Sequence, residues 1–183
     1  NNEQRTMVGG DGSLDLSHRD VPRVAGPDRL TWLHSLTTQH LSDLAPGVWT
    51  QVLVLSPQGH VEHHFTGVDD GESFTAHTEP GAGQALVDFL DRMRFMMRVE
   101  VGLVDDLAVC WRPGADEESA GTYDLVPRDR LEEYAAAVGP ACGLMAYEAL
   151  RIARGEPRLG VDTDHRTIPN EVGLIGSAVH LDK

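Results

Sequence analysis

Cysteine is scarce: the 183 residues contain two, Cys110 and Cys142. Two thiols are too few for a secreted disulfide framework, and each lies in an apolar run where cysteine acts as a small hydrophobe. Both are expected to be reduced core residues. Basic side chains are scarce as well, with 15 Lys and Arg against 29 Asp and Glu, a formal charge of −14. That balance excludes a broad sequence-independent contact with nucleic acid, which needs many cations to displace phosphate counterions. No apolar run reaches the roughly 18 residues of a membrane helix, and no charged-then-apolar leader opens the sequence. The expectation is a cytoplasmic protein without membrane or direct nucleic-acid partners. Gly-rich phosphate loops, zinc-protease helices, nucleophile elbows and paired-cysteine knuckles are all missing, which removes the enzyme classes that such motifs announce.

With 40% apolar and 24% charged residues, the chain is long enough for one sizeable core or two small intertwined subdomains. A strand-like alternation from Asp20 to Ala25 meets the turn Gly26-Pro27-Asp28, and Leu30, Leu33 and Leu41 suggest a helix. Val48 to Leu55, Val61 to Val68 and Phe74 to Thr78 read as strands. They are joined by Ser56-Pro57-Gln58-Gly59 and Asp69-Asp70-Gly71, whose glycines supply the positive φ of tight turns. This predicts a three-stranded antiparallel meander. Leu86, Phe89, Leu90, Met93 and Met97 recur at helical spacing, a stripe expected to pack in the core. Val99 to Val104, Leu107 to Trp111 and Tyr123 to Val126 read as strands, and Gly114 to Gly121 as an acidic exposed loop. Helices are predicted over 128–138 and 144–154, the second closed by Gly155 and Pro157, before a turn-rich stretch from Leu159 to Lys183. Strands separated by single helices, without strict βαβ alternation, make this an α+β fold.

Two constellations carry chemistry. In the run from Gly59 to Phe65, strand alternation places His60, Glu62 and His64 on one face and Val61, His63 and Phe65 on the other. Two imidazoles and a carboxylate suit a divalent metal, but they equally suit the wet face of an antiparallel sheet, and no metal is assigned. The second runs from Tyr147 through Arg151, Arg154 and Gly155 to Asp162, Asp164 and Glu171. A carboxylate here can accept two hydrogen bonds from a planar donor pair such as a pterin edge, with a nearby Arg for a carboxylate tail. A solvated helix end with surface ion pairs explains the same residues.

The motifs Glu3-Gln4-Arg5, Asp15-Leu16-Ser17, Val24 to Arg29, Leu33 to Gln39, Leu44 to Gly47, Leu55 to Gly59, Ala149 to Ile152 and Pro169-Asn170-Glu171 occur in an order that resembles the YgfZ branch of the glycine-cleavage T-protein superfamily. That resemblance spans nearly the whole chain. It implies a single folate-binding, aminomethyltransferase-like region over residues 1–183, of intertwined antiparallel-sheet and helix subdomains. It implies tetrahydrofolate or a one-carbon derivative as cofactor, and iron–sulfur enzymes, including tRNA-modifying ones, as clients whose clusters are assembled or repaired. A small C-terminal β-barrel usually follows in this family and is absent here. T-proteins carry an Asp pair where this chain has His63 and His64, which argues against aminomethyl transfer and leaves no catalytic residue assigned. They carry a pterin-gripping Glu at the position of Asp162 and an Asn near that of His77. The cofactor-binding set implied is therefore Asp162, Glu171, Arg151 and His77. Folate-dependent transfer and a folate-free interaction module remain as alternatives. The sequence starts at Asn1 without a methionine, and Lys183 matches the first position of the family's Lys-Gly-Cys-Tyr signature. Both ends are expected to be incomplete, with a cysteine loop and the barrel following Lys183 in the natural protein.

Overall fold

The computed structural model describes residues 2–115 and 121–183. In chain order the elements are α1 (Asn2–Val8), β1 (Leu14–Asp15), β2 (Pro22–Ala25), α2 (Arg29–Leu36), β3 (Thr50–Leu55), β4 (Val61–Asp69), β5 (Ser73–His77), α3 (Gly83–Arg92), β6 (Glu100–Leu103), β7 (Leu107–Arg112), β8 (Thr122–Pro127), α4 (Leu131–Val138) and α5 (Leu144–Ala153). Short 3-10 turns lie at Arg128–Arg130 and Pro169–Val172. The chain forms two units, each assembled from two separated segments: Asn1–Arg19 with Asp105–Glu156, and Asp20–Val104 with Pro157–Lys183. This is the α+β architecture of intertwined subdomains, with antiparallel sheets and no closed barrel among the described residues. No described helix is long and apolar enough to cross a membrane.

The second unit holds a five-stranded antiparallel sheet in the order β3-β4-β5-β2-β6. The meander expected from the sequence is its first half. Its central turn is held by the Asp70 carboxylate, which accepts the backbone N–H groups of Glu72 (2.9 Å) and Ser73 (2.7 Å), an arrangement that short acidic side chains favour. One face of the sheet, through Val52, Val54, Phe65, Phe74 and Ala76, buries the apolar stripes of α2 (Trp32, Leu33) and α3 (Leu86, Leu90). The other face buries Leu53 and Val61 under Leu174 and Ala178 of the turn-rich C-terminal segment.

Three sequence expectations change here. The α2 helix ends at Leu36, because Thr37 is extended and its Oγ1 donates to the Leu33 carbonyl (2.8 Å) while Thr38 and Gln39 bond to the backbone at Ala178, Gln51 and Ser177. Polar side chains near a helix end offer its carbonyls and its neighbours alternatives to the next turn. Leu41 still reaches the core, but from a loop. The α3 helix stops at Arg92: Trp32 Nε1 donates to the Met93 carbonyl (3.1 Å) and Phe95 turns left-handed (φ 46°). Met97 is therefore not on the helix, and Met96 is solvent-facing. Finally, β4 carries a bulge, since Val54 pairs with His63 but Leu55 pairs with Val61. The extra residue flips the strand's first residue to the opposite face, so Val61 joins Leu53 while Phe65 joins Val52 and Val54.

In the first unit, β1, β7 and β8 form a sheet in the order β1-β7-β8, and Met7, Leu14, Leu16, Val109, Trp111, Cys142, Ala146 and Tyr147 form its core. Trp111 and Tyr147 meet edge to face at 5.1 Å. Both cysteines are free and buried, and burial pushes the Cys110 thiol up to about 11, as expected of inert core thiols. The acidic loop read at 114–121 lies outside the described residues over 116–120. The α5 helix closes as predicted, with Gly155 left-handed (φ 70°) just past its end.

Candidate functional site

Past α5, the segment from Pro157 builds a run of turns by side-chain-to-backbone bonds, as Asp and Thr residues favour. The Asp162 Oδ2 accepts the Arg158 backbone N–H (2.9 Å), and the Asp162 N–H returns a bond to the Arg158 carbonyl (2.9 Å). The Arg158 guanidinium grips Glu79 with two bonds, Nε at 3.0 Å and Nη2 at 2.8 Å. Asp164 Oδ1 accepts the Arg166 N–H (2.8 Å) and the Thr167 hydroxyl (3.2 Å), and the backbone N–H of Arg166 is the main cause that holds its carboxyl below the usual range. The Thr167 carbonyl in turn accepts the Val61 N–H (2.9 Å), which anchors the segment to β4. Glu171 folds back over the 3-10 turn, its Oε2 accepting the Ile168 N–H (3.1 Å).

These turns enclose an open depression of about 490 Å³ lined by Val161, Asp162, Thr163, Asp164, Arg166, Thr167 and Glu171. Two of the four residues expected to hold a cofactor, Asp162 and Glu171, line it together. The other two are not among its lining residues. His77 is buried at the end of β5, its ring 5.9 Å from that of Trp49. Arg151 belongs to the first unit, where it is buried; Nε donates to Glu148 (2.8 Å) and Nη1 to the Glu156 carbonyl (2.9 Å). Arg154 pairs with Glu156 (2.6 Å) and lies over the Trp111 ring.

The histidine run on β4 is split by its bulge. His63 packs on Phe89 with ring centroids 5.4 Å apart, and burial lowers its pKa. His64 Nε2 lies 3.2 Å from Gln51 Oε1, and Glu62 is exposed. Among the described residues, no group of three His, Cys, Asp or Glu side chains is placed to hold a metal ion.

Sequence reasoning missed two features. The Glu79–Arg158 grip joins residues too far apart for any local pattern. The buried pair of Arg29 with Asp69, with bonds of 2.7 Å from both Nε and Nη2, ties α2 to the end of β4. The Asp69-Asp70-Gly71 run signalled only a turn.

No protein-family model matches this chain, and no curated protein sequence matches it. Among solved structures, it is similar to the glycine cleavage system aminomethyltransferase T from Bartonella henselae, with a TM-score of 0.79 at 16% sequence identity. The alignment covers 92% of this chain and 57% of that one. The shared feature is the fold, and the chain spans rather more than half the length of that structure.

Proposed function

We propose that this chain is a tetrahydrofolate-binding module whose pterin edge is taken by Asp162 and Glu171. The observation that carries the reading is that these two acidic residues line one open depression, in a chain with the fold of an aminomethyltransferase T. The donor set suits the ligand: a pterin's aminopyrimidine edge presents N–H groups side by side, and a carboxylate accepts two at once. Bound tetrahydrofolate would supply a one-carbon carrier. The chain's own residues would orient it, with Glu171 and Asp162 already fixed by bonds to Ile168 and Arg158.

We further propose an accessory role in iron–sulfur cluster assembly or repair, with iron–sulfur enzymes, tRNA-modifying ones among them, as clients, rather than aminomethyl transfer. Support comes from the motif order shared with the YgfZ branch and from His63 and His64 at the positions of the transferase's Asp pair. Burial lowers the pKa of the His63 imidazole and so disfavours its charged form, and an imidazole carries no negative charge to balance a developing iminium as a carboxylate does. Folate affinity of Asp162→Ala and Glu171→Ala tests the site. Loss of a charge-assisted bond to the ring edge costs about 1.5 to 3 kcal/mol, roughly tenfold or more in Kd. Both variants binding within about twofold of the parent, roughly 0.4 kcal/mol, overturns the assignment. Recovery of iron–sulfur enzyme activity in cells that lack the protein tests the role.

A further inference from the structure

The stretch from Arg92 to Arg98 reads Arg-Met-Arg-Phe-Met-Met-Arg and contains no acid, in a chain whose formal charge is −14. It connects α3 to β6 on the second unit. Met93 packs against the core, but Phe95, Met96 and Met97 reach solvent: Phe95 is 83% exposed and Met96 is 96% exposed, with Met97 beside them at 36%. Phe95 is also left-handed, with φ 46°. An aromatic residue in that region costs about 1 to 2 kcal/mol, and its exposed ring recovers none of that cost within the chain.

The loop is held at both ends. Trp32 Nε1 bonds the Met93 carbonyl at its start. At its end Asp28 accepts the Arg98 backbone N–H (2.9 Å) and two guanidinium bonds (3.0 and 2.6 Å). Arg98 is thus consumed in fixing the loop. Arg92 is exposed, and Arg94 has only a 3.6 Å exposed approach to Asp91, a pair worth little in water. The result is a platform bonded at both ends that carries an exposed aromatic ring, two thioethers and two cations. Arg, Met and Phe are the side chains enriched in the cores of protein interfaces, Met adapts to varied partner surfaces, and a preformed loop saves the ordering cost of binding.

We propose that this platform docks a short acidic amphipathic segment of a partner protein, whose apolar side chains seat on Phe95, Met96 and Met97 and whose carboxylates meet Arg92 and Arg94. Charge decides the occupant. An anionic bilayer needs several clustered cations at about 1 kcal/mol each, and here two cations, one of them beside Asp91, sit on a molecule of charge −14. A second copy carries that same repelling charge. A local acidic segment gains the arginines without the whole-body repulsion.

The test is fluorescence anisotropy of a short labelled peptide alternating Glu with Leu and Phe, titrated with the full chain at low salt. Saturable binding is expected that weakens at least about tenfold in Arg92→Glu/Arg94→Glu and in Phe95→Ser/Met96→Ser, and with added salt. Unchanged melting temperature and tetrahydrofolate response show that these variants fold, and keep this result separate from that of the folate site. Absent binding, or binding equal in the parent and both variants, overturns the proposal. So does preferential binding to phosphatidylserine vesicles, or a dimer in sedimentation that the Phe95→Ser/Met96→Ser variant abolishes.

Discussion

His63 lies against Phe89 with Glu62 and Arg92 nearby, and burial is the largest cause of its lowered pKa. Its folded-state pKa is below the unfolded value of about 6.5, so below that pH the unfolded chain binds a proton that the folded chain refuses. Stability therefore falls as pH drops from about 6.5. His34 is shifted in the same direction, first by burial. Replacing His63 with Phe should narrow the gap in melting temperature between about pH 7.5 and 5.5 by a few degrees; an unchanged gap means that the ring is hydrated. Asp69 makes a different case, because it is 1% exposed beneath Arg29. Asp69→Ala leaves a buried guanidinium without its partner and should cost about 3 to 5 kcal/mol in urea denaturation. A cost below 1 kcal/mol would place the pair effectively in water. At this scale the carboxylates of the depression were legible, since Asp-Thr-Asp chemistry is local. The confinement of Arg151 by Glu148 and Glu156 was not, because burial of a charged helix residue depends on packing that the sequence does not display.

Gly26, between β2 and α2, has φ 113°, and a Cβ there would stand 2.2 Å from the Arg98 carbonyl oxygen. Both strain and collision oppose Gly26→Ala. It should destabilise by more than about 1 kcal/mol, whereas Gly47→Ala, at φ 82° with open space around it, should lose only the conformational part. Equal losses in denaturant titrations would mean that the β2–α2 junction is not tightly packed. The meander and the amphipathic α3 were legible because their periods are written along the chain. Helix ends were not, because bonds from Trp32 and Gln39 to distant backbone and from Thr37 to the Leu33 carbonyl decide them; nor were the β4 bulge and the addition of β2 and β6 to the sheet, which rest on pairing between strands distant in sequence. The bulge also undoes the shared face of His60, Glu62 and His64, which rested on an uninterrupted period of two. The seven residues of α1 were unread because Met7 is the only one buried.

At the scale of the molecule, two units each built from two segments follow the α+β expectation, and the fold is that of an aminomethyltransferase T. Sharing that fold does not carry its chemistry. Under the proposed reading, in which His63 and His64 stand where the transferase has acids, this protein assayed with the glycine-cleavage partners should give no turnover above blank; turnover would restore the transferase reading. Isothermal titration of the chain with tetrahydrofolate measures the proposed folate binding itself. Saturable heat at one ligand per chain is expected, with a Kd in the micromolar range, about −8 kcal/mol. The absence of saturable heat up to millimolar ligand, with the chain shown to be folded, would contradict it.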